Sequence, residues 1–78
     1  MSYSDYLEKL LYLVDLLDHG NTGSADILAA KLNVSRRTVF RYLDELWMQG
    51  AVIGFSKIKN TFYLKNEFNF KGIYAKVL

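Results

Sequence analysis

SADILAAKLNVSRRTVFRYLDELWMQGAVIGFSKIKNTFYL, residues 24–64, reads as two short helices joined by a tight turn and followed by a basic hairpin. Ser24 offers a hydroxyl to cap a helix in which Ile27, Leu28 and Leu32 recur at helical spacing and share a face. Asn33 and Val34 interrupt that pattern: asparagine tolerates a left-handed turn conformation, and Val34 supplies an apolar plug between two helices. Ser35 then caps a helix predicted over Arg36 to Met48, and Gly50 stands where helices commonly end in a left-handed residue.

At about 100° per residue, Val39, Tyr42, Leu43 and Leu46 cluster on one side of that helix with Trp47 at the margin. Arg37, Arg41, Asp44 and Met48 fall opposite, and Phe40 sits at the border. Trp47 is expected in the core because its position continues the buried face. Arg36, Arg37 and Arg41 emerge from the first two turns, where a helix entering a DNA major groove makes its contacts. Arginine's planar fork grips guanine edges or phosphates, and Phe40 is placed to touch a thymine methyl. Asp44 and Glu45 would repel phosphate, so the later turns are expected to tilt away from a duplex.

After Gly50, Val52 to Ser56 and Thr61 to Lys65 are rich in β-branched and aromatic residues and flank the polar run Lys57-Ile58-Lys59-Asn60. That pattern predicts a hairpin. Lys57 and Lys59, with Asn60 beside them, would reach the phosphate backbone or an adjacent minor groove, positioning the domain without reading much sequence.

On these residues the segment 22–65 resembles the winged helix-turn-helix domain of the deoxyribonucleoside-repressor and biotin-repressor types of bacterial regulator. The shared pattern falls on Leu28-Ala29, Val34-Ser35, Thr38-Val39, Leu43, Leu46 and Gly50. The resemblance implies an α+β fold, a three-helix winged helix-turn-helix with a C-terminal β-hairpin wing. It also implies that the helix opening at Ser35 is the recognition helix, with Arg36, Arg37, Thr38, Phe40 and Arg41 at contact positions. Many members continue into a ligand-binding, sugar-sensing or enzymatic domain, and these 78 residues contain none, so no attached sensor is expected.

The remaining segments complete a single expected domain over residues 1–78, with an N-terminal helix in 1–21 and an apolar tail in 66–78. Ser2 or Ser4 can cap the first helix and Gly20 can end it, while Tyr3, Leu7, Leu10, Leu11, Val14 and Leu17 form its packing face, broadened by Tyr6 and Leu13. Tyr12 and Leu16 then project among charged residues, either as isolated exposed apolar groups or as a homodimer contact. Phe68, Phe70, Ile73, Tyr74, Val77 and Leu78 make the tail too apolar for a disordered end. Phe68, Phe70 and Tyr74 can cover the domain's own sheet edge or reach a partner chain.

A formal charge of +2 conceals a segregation. Residues 1–30 carry −4, residues 31–65 carry +5 and the tail +1, so the positive charge gathers where the pattern puts DNA. The absence of cysteine excludes disulfides and Cys-based zinc sites, and the N-terminus lacks a signal-peptide pattern; a cytoplasmic protein follows. No apolar run approaches the roughly 20 residues of a membrane span, and neither a cofactor nor a small-molecule effector site is indicated.

One histidine, no glycine-rich phosphate loop and no identifiable acid pair leave little from which to build an enzyme. His19 suits the last turn of a helix better than a metal, and Ser35 and Thr38 are capping or phosphate-contacting hydroxyls without a base to make them nucleophiles. The reading is sequence-specific binding of double-stranded DNA by a small transcriptional regulator, acting as a homodimer. The alternatives are a winged-helix module that binds protein without reading DNA, and an RNA binder.

Overall fold

Three helices, α1 (Tyr3–Asp18), α2 (Ala25–Leu32) and α3 (Arg36–Met48), precede an antiparallel hairpin of β1 (Ile53–Ser56) and β2 (Thr61–Leu64). They are seen in a computed structural model of the chain that describes residues 3–68. The α+β winged-helix order matches the sequence reading. The strands are one residue shorter than expected at their outer ends, where Lys65 N–H still donates to the Val52 carbonyl at 2.8 Å.

The punctuation acts locally. Ser24 Oγ accepts the Ile27 N–H at 3.3 Å and Ser35 Oγ the Thr38 N–H at 3.1 Å, so each helix start satisfies an orphan donor. Asn33 takes φ 56°, and the Val34 N–H returns to the Ala29 carbonyl at 3.0 Å. At the end of α3, Gly50 adopts φ 109°, which lets the Ala51 N–H close on the Leu46 carbonyl at 3.0 Å. Ser4 lies inside α1 rather than capping it.

Leu10, Leu13 and Leu17 of α1 meet Leu28 and Leu32 of α2 and Val39, Tyr42 and Leu46 of α3 in one core. Leu16 is buried with them, at 7% exposure, and is not on a wet face. The reason is that α1 packs against α2 and β2 together, so its buried arc is wider than a single-neighbour helix needs. Tyr12 alone of that expected pair stays exposed. Tyr3, placed on the packing face, is also exposed, its ring 6.1 Å from that of Tyr6. Ile27 turns out of the core and lies over Gly23 (φ 74°), where the missing side chain leaves room for it.

Trp47 corrects a further expectation: it is 64% exposed. It follows Phe40 by two helical turns at nearly the same azimuth, and with Phe40, Ile53, Gly54 and Phe55 it walls an open groove between α3 and the hairpin. Phe68 packs partly buried against the domain's own core. Phe70 and Tyr74 lie outside the described residues.

A polar clasp holds the hairpin to the helices. Thr22 and Thr61 are buried, and each hydroxyl accepts a backbone N–H from the other's segment. The Thr22 N–H donates to Thr61 Oγ1 at 2.9 Å and the Phe62 N–H to Thr22 Oγ1 at 2.8 Å. The two hydroxyls stand 3.0 Å apart, with the Gly23 and Phe62 carbonyls available to their protons. Among the described residues two strands pair in the sheet, and this clasp does what a third strand's ladder would do.

Candidate nucleic-acid interface

The first turns of α3 carry Ser35, Arg36, Arg37, Thr38, Phe40 and Arg41 together. Ser35 and Thr38 share a hydroxyl contact at 2.9 Å, which fixes both at the helix start. Arg37 and Arg41 project into solvent opposite the buried stripe, and among the described residues neither makes a hydrogen bond or ion pair. Arg36 is differently placed. Its guanidinium lies 3.9 Å from Asp26 at the start of α2 and 5.8 Å from the centre of the Phe40 ring. No periodicity singles out Asp26, whose partner stands ten residues away, across the turn.

Phe40 and Phe62 of β2 pack in a T-shaped pair (centroids 6.4 Å, interplanar angle 81°), and Phe62 in turn meets Phe55 of β1 (4.8 Å, 66°). Edge-to-face pairs of this kind contribute about 0.5–1.5 kcal/mol beyond their burial. The three rings couple α3 to both strands of the wing, leaving Phe40 half exposed beside the arginines.

Glu45 sits partly buried in a groove between α1 and α3 lined also by Tyr6, Thr38, Arg41 and Tyr42. Burial and then the nearby Glu45 carboxylate, which accepts a hydrogen bond from the Tyr6 hydroxyl, push the Tyr6 phenol above its ordinary pKa of 10.0. The acid that a recognition helix should not offer to phosphate is thus occupied by α1. Asp44, one residue earlier, remains exposed.

The hairpin loop spans Lys57–Asn60 between the paired residues Ser56 and Thr61. Ser56 Oγ accepts the Lys59 N–H at 3.1 Å and Asn60 takes φ 53°, so the turn is pinned at both ends. Lys57, Ile58, Lys59 and Asn60 are all exposed. Lys31, counted with the basic half of the chain, donates instead to the Asn21 carbonyl at 2.7 Å. His19 closes α1: Nδ1 lies 2.8 Å from the Asp15 carbonyl and 3.4 Å from its carboxylate. That carbonyl, and then the Asp15 charge, hold its pKa above 6.5.

A solvent-facing arginine stripe on the third helix of a helical trio, followed by a basic hairpin, defines a winged helix-turn-helix DNA-binding domain. The sequence profile described as HTH domain matches residues 7–57, more than half of the chain, and the chain belongs to that family. The matched region runs from the first helix into the tip of the wing. No curated protein and no solved structure matches the chain. Among the described residues, no helix is long and apolar enough to cross a membrane.

Proposed function

We propose that the protein is a sequence-specific transcriptional regulator of the bacterial type, working in the cytoplasm, that lays the start of α3 in the major groove and sets its wing on the backbone or in the neighbouring minor groove. The observation that carries this reading is the pair Arg37 and Arg41: two exposed guanidinium groups, unpaired among the described residues, on the face of α3 opposite the core. Bidentate contacts of arginine to guanine are the commonest specific readout in that groove. Ser35, Arg36 and Thr38 serve the phosphates beside them, and Phe40 offers its exposed edge to a thymine methyl. A gel-shift panel of duplex DNA, structured RNA and single strands at several salt concentrations tests it; preference for RNA, or salt-independent retention, overturns it.

The two lysines of the wing contribute charge rather than selectivity. Lys57→Gln with Lys59→Gln weakens binding equally across sequences, and the slope of log K against log salt falls by about 0.9 for each phosphate no longer neutralised. A double variant with the parental slope would show that the tip does not touch DNA.

Pairing of two copies completes the proposal. One such module covers only about 600–1,000 Å² of DNA interface, little for selective binding alone. Leu16 is buried within the domain and Phe68 partly so, while Tyr12 on α1 and Trp47 with Met48 on α3 are among the large exposed apolar groups that a second copy could cover. Light scattering of the parent, Tyr12→Glu and Trp47→Ser with Met48→Ser across micromolar concentrations checks this. A dimer abolished in one variant locates the interface, and a parent that is monomeric both alone and on DNA removes the pairing.

A further inference from the structure

The most exposed large apolar side chain among the described residues is Ile58, at 98%, at the centre of the wing loop. Met48 follows at 72%, and the other exposed apolar groups keep partial cover. A hairpin loop is where glycine, asparagine, aspartate and serine are usual, so an isoleucine there has no role in forming the turn. The turn is made by its neighbours: Ser56 Oγ on the Lys59 N–H and the left-handed Asn60. Ile58 therefore stands on a preformed apex, flanked by Lys57 and Lys59, and the aromatic contacts through Phe62 tie that hairpin to α3.

We propose that Ile58 enters the minor groove as an apolar wedge between two phosphate-seeking lysines, and that the domain thereby bends the DNA it holds. The proposal rests on the DNA-binding reading above and adds a deformation to it. Apolar side chains inserted between base pairs partly unstack them and kink the duplex toward the major groove. One isoleucine gains too little to unstack any step indiscriminately, so insertion favours the pyrimidine–purine steps TA and CA/TG, which part most easily. The lysines hold the tip over the groove and the isoleucine selects the step, a preference that phosphate contacts alone would not confer.

The test uses the full chain, a bound duplex carrying a TA step and 2-aminopurine beside it, and a donor–acceptor pair on the duplex ends. The parent is expected to shorten the end-to-end distance and brighten the 2-aminopurine. Ile58→Asn, which suits a turn and keeps both lysines, is expected to retain the salt slope while losing the bend and the fluorescence rise. Its affinity for the TA site falls about tenfold, the scale of one base-pair discrimination, with little change on a duplex lacking flexible steps. An Ile58→Asn variant that bends DNA as the parent does overturns the wedge and leaves DNA binding standing. A parent that binds no duplex at any salt overturns both. Parent binding to phosphatidylserine vesicles, abolished in Ile58→Asn, with unbent DNA would assign the tip to a membrane surface and overturn the wedge.

Discussion

Arg37→Ala and Arg41→Ala each weaken specific DNA binding by about 1–3 kcal/mol, and the double variant binds its site little better than random duplex. The two side chains lie one turn apart on the same exposed face, so their effects are coupled and the sum of the single effects is not the expected total. Neither touches the core, and both variants should melt with the parent, since exposed substitutions away from buried features usually stay within about 0.5 kcal/mol. Arg36→Ala serves as a contrast on the same helix. Its guanidinium already leans on Asp26 and Phe40, so its removal costs less affinity. Fluorescence anisotropy on matched specific and random duplexes measures all four proteins. A folded double variant with parental discrimination would take sequence reading away from α3.

The largest loss of stability expected from deleting one polar atom is at Thr22. Thr22→Val keeps the shape and removes the oxygen that accepts the Phe62 N–H, leaving a donor at the hairpin's inner edge without its partner. An orphaned buried group costs about 1–3 kcal/mol, which in a domain of this size lowers Tm by on the order of 10 °C. Thr22→Ser retains the oxygen and loses one methyl, so it should cost only about 0.8 kcal/mol. Thermal melts separate the two, and amide exchange at Phe62 should rise in the valine variant alone. A valine variant that melts with the parent while the serine variant falls would mean that the methyl matters and the hydroxyl does not.

Features written in adjacent residues were legible before any coordinates: Ser24 and Ser35 as caps, Asn33 as the left-handed turn, Gly50 as the helix end, and Lys57 to Asn60 as a loop. Each depends on chemistry within three or four positions. What escaped depends on how many neighbours an element acquires. Leu16 is buried because α1 meets both α2 and β2, and Trp47 is exposed because it lies where α3 and the hairpin leave an open groove between them. A helical wheel shows azimuth, not the number of surfaces around it. The Thr22–Thr61 clasp spans 39 positions and involves hydroxyls with no periodic signature. Likewise, Arg36 shares the first turns of α3 with Arg37 and Arg41, and its approach to Asp26 and to the Phe40 ring is visible only in three dimensions. The arginine face of α3 was readable from periodicity; the aromatic relay from Phe40 through Phe62 to Phe55 needed the strand register that sets Phe55 opposite Phe62.

The threonine clasp and that relay fasten the wing at two places, to the loop before α2 and to the face of α3. A hairpin secured in this way cannot swing to suit whatever duplex it meets. On the proposed reading the domain would work as a caliper with fixed jaws, and the DNA would have to supply the opening. Base pairs lying between the jaws, untouched by any side chain, would then set affinity through how readily they narrow or twist, so two sites with identical contacted bases would differ in occupancy by the stiffness of what separates them.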